Sequence, residues 1–114
     1  MISESVTFST HGTAALVRLA GEIDLANAPE IGREIVVHTS TADAVLIDLT
    51  GVSFLDSAGV RLLDALIGDL DNLGTPIRWV VGENGAARST LQLCEFRPEL
   101  LATDLDRAAD ELGR

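Results

Sequence analysis

The sequence predicts an α/β fold built on a mixed β-sheet, and two features of the chain lead to this prediction. Two short segments with strand-like alternation open the chain and are separated by a turn, as expected for an antiparallel hairpin. From Ala44 onward, apolar strand segments alternate with amphipathic helices. This order produces parallel strands joined by right-handed helical crossovers. We expect four to five strands and about four helices in a single domain spanning residues 1–114.

The first half of the chain is predicted to hold the hairpin, one helix and one central strand. The predicted elements are strands Val6–Ser9 and Ala14–Ala20 with a turn at His11–Gly12, an extension at Glu22–Asp24, a helix from Asn27 to about His38, and the strand Ala44–Leu49. Asn27 is the expected N-cap, because Pro29 lies in the first turn and Glu30 stands at the capping-box spacing. The last strand is apolar except for Asp48, which is typical of a central strand covered on at least one face.

The second half is predicted to continue with three helices and two strands. The predicted elements are a helix that begins at Ser57, the strand Pro76–Val81, a turn at Gly82–Gly85, a helix from about Ala86 to Leu93, an extended piece near Glu99–Ala102, and a helix from Thr103 to about Leu112. The first of these helices carries one apolar stripe at spacings of three and four, made of Val60, Leu63, Leu66, Ile67, Leu70 and Leu73. Gly74 is the expected residue after its C-terminus.

The composition favours a cytoplasmic protein, whose acidic charge either serves solubility alone, which we favour from charge alone, or meets a basic protein surface. The chain has 18 acidic and eight basic residues, all of them arginine, and a formal net charge of −10. Such a charge argues against a nucleic-acid partner, which would need a basic patch. No apolar run approaches the roughly 18 residues that span a bilayer, and the N-terminal residues lack a signal-peptide pattern. The lone Cys94 excludes an internal disulfide, and we expect it to be a buried apolar residue.

Ser57 is the residue most suggestive of function, because it stands where a strand and turn lead into a helix. It could be an N-cap that accepts a hydrogen bond from the amide of Gly59 or Val60, a nucleophile, or a phosphorylation site. Gly59 is a poor helix former, and its presence would be explained if another chain approaches the backbone closely there. A phosphate on Ser57 would face the free amides of the helix N-terminus, so the fold would tolerate it.

The residues around this serine do not match a catalytic site. A serine nucleophile needs a base, and neither histidine, His11 or His38, has an orienting acid at a recognisable spacing. The local sequence is not a Gly-x-Ser-x-Gly elbow, and the chain has no phosphate-binding loop and no metal-ligand spacing. We therefore expect no enzyme activity and no cofactor.

Three further positions are candidates for a role beside Ser57. Asp24 ends the early strand pair and is either an ordinary turn acid or a neighbour of the Asp56–Ser57 loop. Arg61 and Leu62 lie off the main apolar stripe of the helix. Leu62 is either an anchor in a partner's pocket or part of a wider core stripe, and we favour the core.

These residues together resemble the STAS domain, and most closely the small anti-sigma factor antagonists of bacteria. The resemblance covers nearly the whole chain and rests on Gly21–Asp24 followed by Pro29–Glu30, on Val45–Asp48, and above all on Phe54-Leu55-Asp56-Ser57-Ala58-Gly59-Val60. The chain departs from the family pattern at Leu93–Arg97, which lacks a turn of the Thr-Gly-Leu type. The resemblance implies a mixed sheet with helices packed mainly on one face.

The resemblance also implies a mechanism of partner switching. Ser57 would be phosphorylated by a cognate anti-sigma factor that is itself a serine kinase, and a metal-dependent serine phosphatase would reverse the modification. ATP would belong to the kinase. The partner-binding residues would be Asp24, Asp56, Ser57, Ala58, Gly59, Arg61 and Leu62. The alternative is a stand-alone STAS module of a lipid-transport ATPase or of a sensory, stressosome-like complex. We expect a monomer or a weak homodimer.

Overall fold

The architecture of the computed structural model is a five-stranded sheet with helices on both faces. The structure describes residues 6–82, 86–93 and 101–112. The elements in these residues are β1 (Val6–His11), β2 (Ala14–Ile23), α1 (Ala28–Thr39), β3 (Val45–Leu55), α2 (Ser57–Asn72), β4 (Ile77–Val80), α3 (Ala86–Leu93), β5 (Leu101–Ala102) and α4 (Leu105–Leu112). The predicted number of strands and helices is confirmed.

The strands lie in the sheet in the order in which they occur along the chain. β1 and β2 form an antiparallel hairpin, and β2, β3, β4 and β5 are parallel to one another. The predicted mixed sheet is therefore confirmed. Because β2, β3 and β4 run in the same direction, α1 and α2 both begin at the sheet edge where β2 and β3 end, and both run back to the opposite edge.

β2 and β3 are longer than predicted, and their extra residues pair with each other. β2 continues through the predicted extension to Ile23, and β3 continues to Leu55, where the sequence had suggested a turn. The pairing of these extensions includes two register shifts, one of them next to Gly21, whose φ is +77°. The sequence did not predict this part of β3 as a strand, because a bulged strand lacks the strict alternation of apolar residues.

Two apolar clusters cover the two faces of the sheet. The larger cluster joins one sheet face to α1, α2 and α3, and includes the fully buried Trp79. The smaller cluster joins Leu16, Leu46 and Val80 on the other face to α4. Three helices on one face and one on the other confirm the expectation of helices packed mainly on one face.

The helix ends differ from prediction in detail. Gly74 has a φ of +72° after the end of α2, as predicted. Leu73 was placed in the buried stripe, but 58% of it is exposed because it is the C-cap of the helix. Asp104, not Thr103, caps α4: its carboxylate accepts a hydrogen bond from the backbone N–H of Arg107 at 2.8 Å.

Some predictions lie outside the described residues. They concern Cys94, most of the Gly82–Gly85 turn and the Leu93–Arg97 departure. Within the part of the chain that the structure describes, no helix is long and apolar enough to cross a membrane.

Candidate functional site

The candidate site lies at the sheet edge where the parallel strands β2 and β3 end side by side. Ile23 and Leu55 are the last paired residues of the two strands. Asp24 follows the first and Asp56 follows the second, and the backbone N–H of Asp56 donates to the carbonyl of Ile23 at 3.4 Å. The structure thus brings Asp24 beside the Asp56–Ser57 loop, as the sequence analysis suggested.

Asp56, rather than Ser57, is the N-cap of helix α2. Its carboxylate accepts a hydrogen bond from the backbone N–H of Gly59 at 3.0 Å, and its backbone is extended, with a φ of −98° and a ψ of −174°. Ser57 is the first helical residue and is exposed. The prediction that the Ser57 hydroxyl could cap the helix is therefore wrong, and this hydroxyl makes no hydrogen bond to another described residue.

Asp24 organises the turn that leads into helix α1. One of its carboxylate oxygens accepts hydrogen bonds from the backbone N–H groups of Ala26 at 2.9 Å and Asn27 at 3.3 Å. Asn27 is the N-cap by position, but its side chain binds back to the Asp24 amide and the Glu22 carbonyl instead of capping the helix. Asp24 is therefore a turn acid and also a neighbour of the Ser57 loop, so both interpretations of this residue hold.

Packing within this chain explains why position 59 is a glycine. It is buried, and a Cβ atom at this position would lie 3.1 Å from the Ile23 carbonyl oxygen and would collide with the side chain of Leu55. This packing explains the glycine without a second chain, and the close approach of a partner at Gly59 stays a prediction. The glycine lets the first turn of α2 pack directly on the ends of β2 and β3, which fixes the position of Ser57 on the surface.

Two exposed apolar side chains near these acids were missed by the sequence analysis. Leu25, which follows Asp24, is 73% exposed, and Phe54, two residues before Asp56, is 48% exposed. The sequence did contain one indication of the exposed Leu25, because this apolar residue stands in a turn, where polar residues dominate. We call Asp24, Leu25, Asp56, Ser57 and Ala58 the Ser57 edge.

A groove between α1 and α2 continues from the Ser57 edge. Ala58, Arg61 and Leu62 line it from α2, and Leu25 lies at its start. Leu62 is half-buried against the larger core, where a Cβ at Gly32 would lie only 2.6 Å from its side chain. This confirms the preference for a core role of Leu62, while Arg61 is exposed.

The two histidines of the chain lie far from Ser57. His11 pairs with Ala14, at the sheet edge where β2 begins, and its Nε2 is 3.2 Å from a carboxylate oxygen of Asp106. His38 lies in the last turn of α1, where its Nδ1 is 2.8 Å from a backbone carbonyl oxygen one turn earlier. Neither histidine is placed to act as a base for Ser57. Among the described residues, no cluster of His, Cys, Asp and Glu could hold a metal ion.

Asp48 belongs to a separate polar cluster on the face of the sheet opposite α1 and α2. One carboxylate oxygen accepts hydrogen bonds from the Thr50 hydroxyl at 2.7 Å and the Thr50 amide at 2.9 Å. The other oxygen is 3.4 Å from the Nε of Arg18 on the neighbouring strand. This residue lies well before the end of β3, so it has no direct role at the Ser57 edge.

The fold and the strand-to-helix edge identify the class of the protein. The family model of the STAS domain matches residues 5–109. The chain therefore belongs to the STAS domain family. Similar proteins include the anti-sigma-F factor antagonist RsfB of Mycobacterium tuberculosis, from the strains CDC 1551/Oshkosh and ATCC 25618/H37Rv. Each is 32% identical to this chain over 95 residues, which are 80% of this chain and 74% of RsfB.

Solved structures agree with this assignment. An anti-sigma factor antagonist from Mycobacterium paratuberculosis superposes with a TM-score of 0.83 and 28% identity, covering 96% of this chain and 93% of the other. The anti-sigma factor antagonist SpoIIAA in its unphosphorylated form superposes with a TM-score of 0.75 and 17% identity, covering 95% of this chain and 96% of the other. The second likeness supports the fold alone.

Proposed function

We propose that the protein is an anti-sigma factor antagonist that frees a sigma factor by binding its anti-sigma factor. In this proposal the anti-sigma factor is a serine kinase, which binds the unphosphorylated protein and then ends the complex by phosphorylating Ser57. A metal-dependent serine phosphatase restores the binding form. The function named for RsfB and for the Mycobacterium paratuberculosis protein supports the antagonist role.

The switch is supported by the exposed hydroxyl of Ser57, which makes no hydrogen bond to another described residue. Because Asp56 caps the helix, phosphorylation removes no hydrogen bond between described residues. A phosphate on the first residue of the 16-residue helix α2 faces the amides of its first turn and the positive end of the helix dipole. The modified protein should therefore keep its fold.

The same phosphate would change the surface that a partner meets. It adds about −1.5 to −2 charges at pH 7. These charges join the carboxylates of Asp24 and Asp56, each of which has one oxygen that accepts no hydrogen bond from a described residue. A partner that accommodates two carboxylates in a desolvated contact would face an unmatched charge, which costs several kcal/mol. The switch thus blocks an interface and needs no change of fold.

We also infer that the protein works by binding, without catalysis of its own. Ser57 has no histidine base, since both histidines lie toward the opposite edge of the sheet. The chemistry of phosphate transfer would belong to the kinase that binds ATP.

A binding measurement tests this proposal. Isothermal titration calorimetry would compare the wild type, Ser57→Asp and Ser53→Asp with each anti-sigma kinase encoded in the same genome. Ser53 is also exposed and lies four residues earlier, so it controls for the added charge. We expect Ser57→Asp to bind at least about tenfold more weakly, equivalent to about 1.4 kcal/mol, and Ser53→Asp to bind within about twofold of wild type. Equal affinity of wild type and Ser57→Asp would refute the switch.

A further inference from the structure

An apolar groove lies between α1 and α2, beside the Ser57 edge. It has a volume of about 710 Å³. Its walls are mostly apolar, and Val37, which lines it near the C-terminus of α1, is 70% exposed. A surface helix pair usually turns such side chains inward or replaces them with polar ones. An exposed apolar groove of this kind is typical of a surface that binds a partner.

Charge distinguishes this groove from the rest of the surface. The chain carries a net charge of −10, yet Arg33 and Arg61 both line the groove. Neither arginine forms an ion pair with another described residue. Asp69 lines the opposite end, eight residues and so about 12 Å further along α2 than Arg61. The groove is thus positive toward the Ser57 edge and negative at its far end.

The length of the groove matches that of a short helix. α1 and α2 run in the same direction, and the lining residues of α1 extend from Ala28 to Val37. Nine residue steps of a helix cover about 14 Å, which matches about two and a half turns of a bound helix. An amphipathic helix binds such a groove through apolar anchors spaced three and four residues apart.

We propose that the groove receives an amphipathic helix of the anti-sigma factor, with apolar side chains against the groove and a carboxylate paired with Arg33 and Arg61. The proposal rests on the function proposed above and names the second half of the same interface. Continuity supports it, because Ala58 belongs both to the Ser57 edge and to the groove. The acids of the Ser57 edge would meet basic groups of the partner, while the groove meets an acidic one.

This arrangement connects the groove to the phosphorylation of Ser57. Arg61 is four residues after Ser57, so the two side chains are neighbours on one face of α2. Helical side chains lean toward the N-terminus, which brings the guanidinium of Arg61 toward position 57. A phosphate on Ser57 would pair with Arg61 and withdraw it from the partner's carboxylate. The modification therefore weakens the complex both by added repulsion and by loss of an ion pair.

The test measures the affinity of groove variants for the anti-sigma kinase that binds the wild type. Ala65→Glu places a carboxylate on the apolar wall, and Arg33→Glu reverses one groove charge; both positions are exposed, so the fold should persist. The matched controls are Asn72→Glu at the end of α2 and Arg107→Glu on α4, which make the same charge changes outside the groove. We expect each groove variant to bind about tenfold more weakly or worse, and each control to stay within about twofold.

The outcomes separate the groove from the wider function. If the groove variants bind as tightly as the controls while Ser57→Asp still weakens binding, the groove proposal is overturned and the antagonist function stands. If the wild type binds no anti-sigma factor, the proposed function fails and the named occupant fails with it. Sedimentation equilibrium of wild type and Ala65→Glu gives a further check. A wild-type dimer that Ala65→Glu converts to a monomer would show that a second copy occupies the groove, which also overturns the proposal.

Discussion

Replacing Gly59 by alanine is expected to destabilise the protein, although the same substitution at Gly68, on the same helix, is expected to stabilise it. In a helix interior, alanine is favoured over glycine by up to about 1 kcal/mol. At Gly68 no atom lies within 4 Å of the new Cβ, so this gain should appear undiminished. At Gly59 the new Cβ would collide with the Leu55 side chain and lie 3.1 Å from the carbonyl oxygen of Ile23.

The loss of stability expected for Gly59→Ala depends on which atoms the new Cβ would displace. The Leu55 side chain can rotate, but the Ile23 carbonyl belongs to a paired strand and accepts a hydrogen bond from Asp56. Overpacking of this kind costs about 1–3 kcal/mol, which exceeds the helix-propensity gain. Both variants gain the same helix propensity from alanine, and only Gly59→Ala is overpacked. The free energies of unfolding of Gly59→Ala and Gly68→Ala should therefore differ by about 1–3 kcal/mol.

Urea unfolding followed by circular dichroism measures this difference directly. The midpoint should fall for Gly59→Ala and rise for Gly68→Ala, with similar denaturant slopes. If both variants are equally stabilised, the close packing of α2 on the ends of β2 and β3 is refuted, and with it the account of how Ser57 is positioned.

Asp56 and Asp48 should also contribute measurably to stability. Asp56→Ala removes the helix cap and should lower the free energy of unfolding by about 0.5–2 kcal/mol, whereas Ser57→Ala should change it by less than about 0.5 kcal/mol; equal losses in urea unfolding would contradict the assignment of the cap. Asp48→Ala removes a buried acceptor from Thr50 and should cost about 1–3 kcal/mol, whereas Arg18→Ala, whose side chain is 55% exposed, should cost less than about 1 kcal/mol. A larger loss for Arg18→Ala in thermal unfolding would mean that the ion pair is the dominant contact.

The order of elements could be predicted from the sequence because the apolar patterns are strong. The helix after Ser57 has a long regular stripe, and the strand at Val45 is almost wholly apolar, so periodicity alone identifies both. The two extended strand ends could not be predicted in the same way. Their pairing includes bulges, and a bulge breaks the alternation on which a strand prediction depends.

The candidate site could be located from the sequence, but its internal roles could not be assigned. The sequence suggested Ser57 as a possible cap and Thr103 as the start of the last helix, whereas the adjacent aspartates Asp56 and Asp104 do the capping. Sequence spacing cannot separate neighbours that are both good N-caps, because the choice depends on where the preceding strand ends. At Ser57 the difference matters, since it leaves the hydroxyl out of the helix cap, as the proposed phosphorylation requires.

The apolar part of the surface was the least predictable feature. An exposed leucine such as Leu25 is ordinary when it stands alone, so composition gives no warning. Only the fold shows that it lies at the start of a groove whose other wall begins at Ala58. That the residues 1–114 form a single domain remains a prediction.

Phosphorylation of Ser57 is tested directly by the intact mass of the protein after incubation with ATP and each anti-sigma kinase encoded in the same genome. The wild type and the control Ser53→Ala should each gain one phosphate, and Ser57→Ala should gain none. A phosphate on Ser57→Ala would place the switch elsewhere. No phosphate on the wild type, with a kinase that binds it, would contradict phosphorylation of Ser57 as the switch.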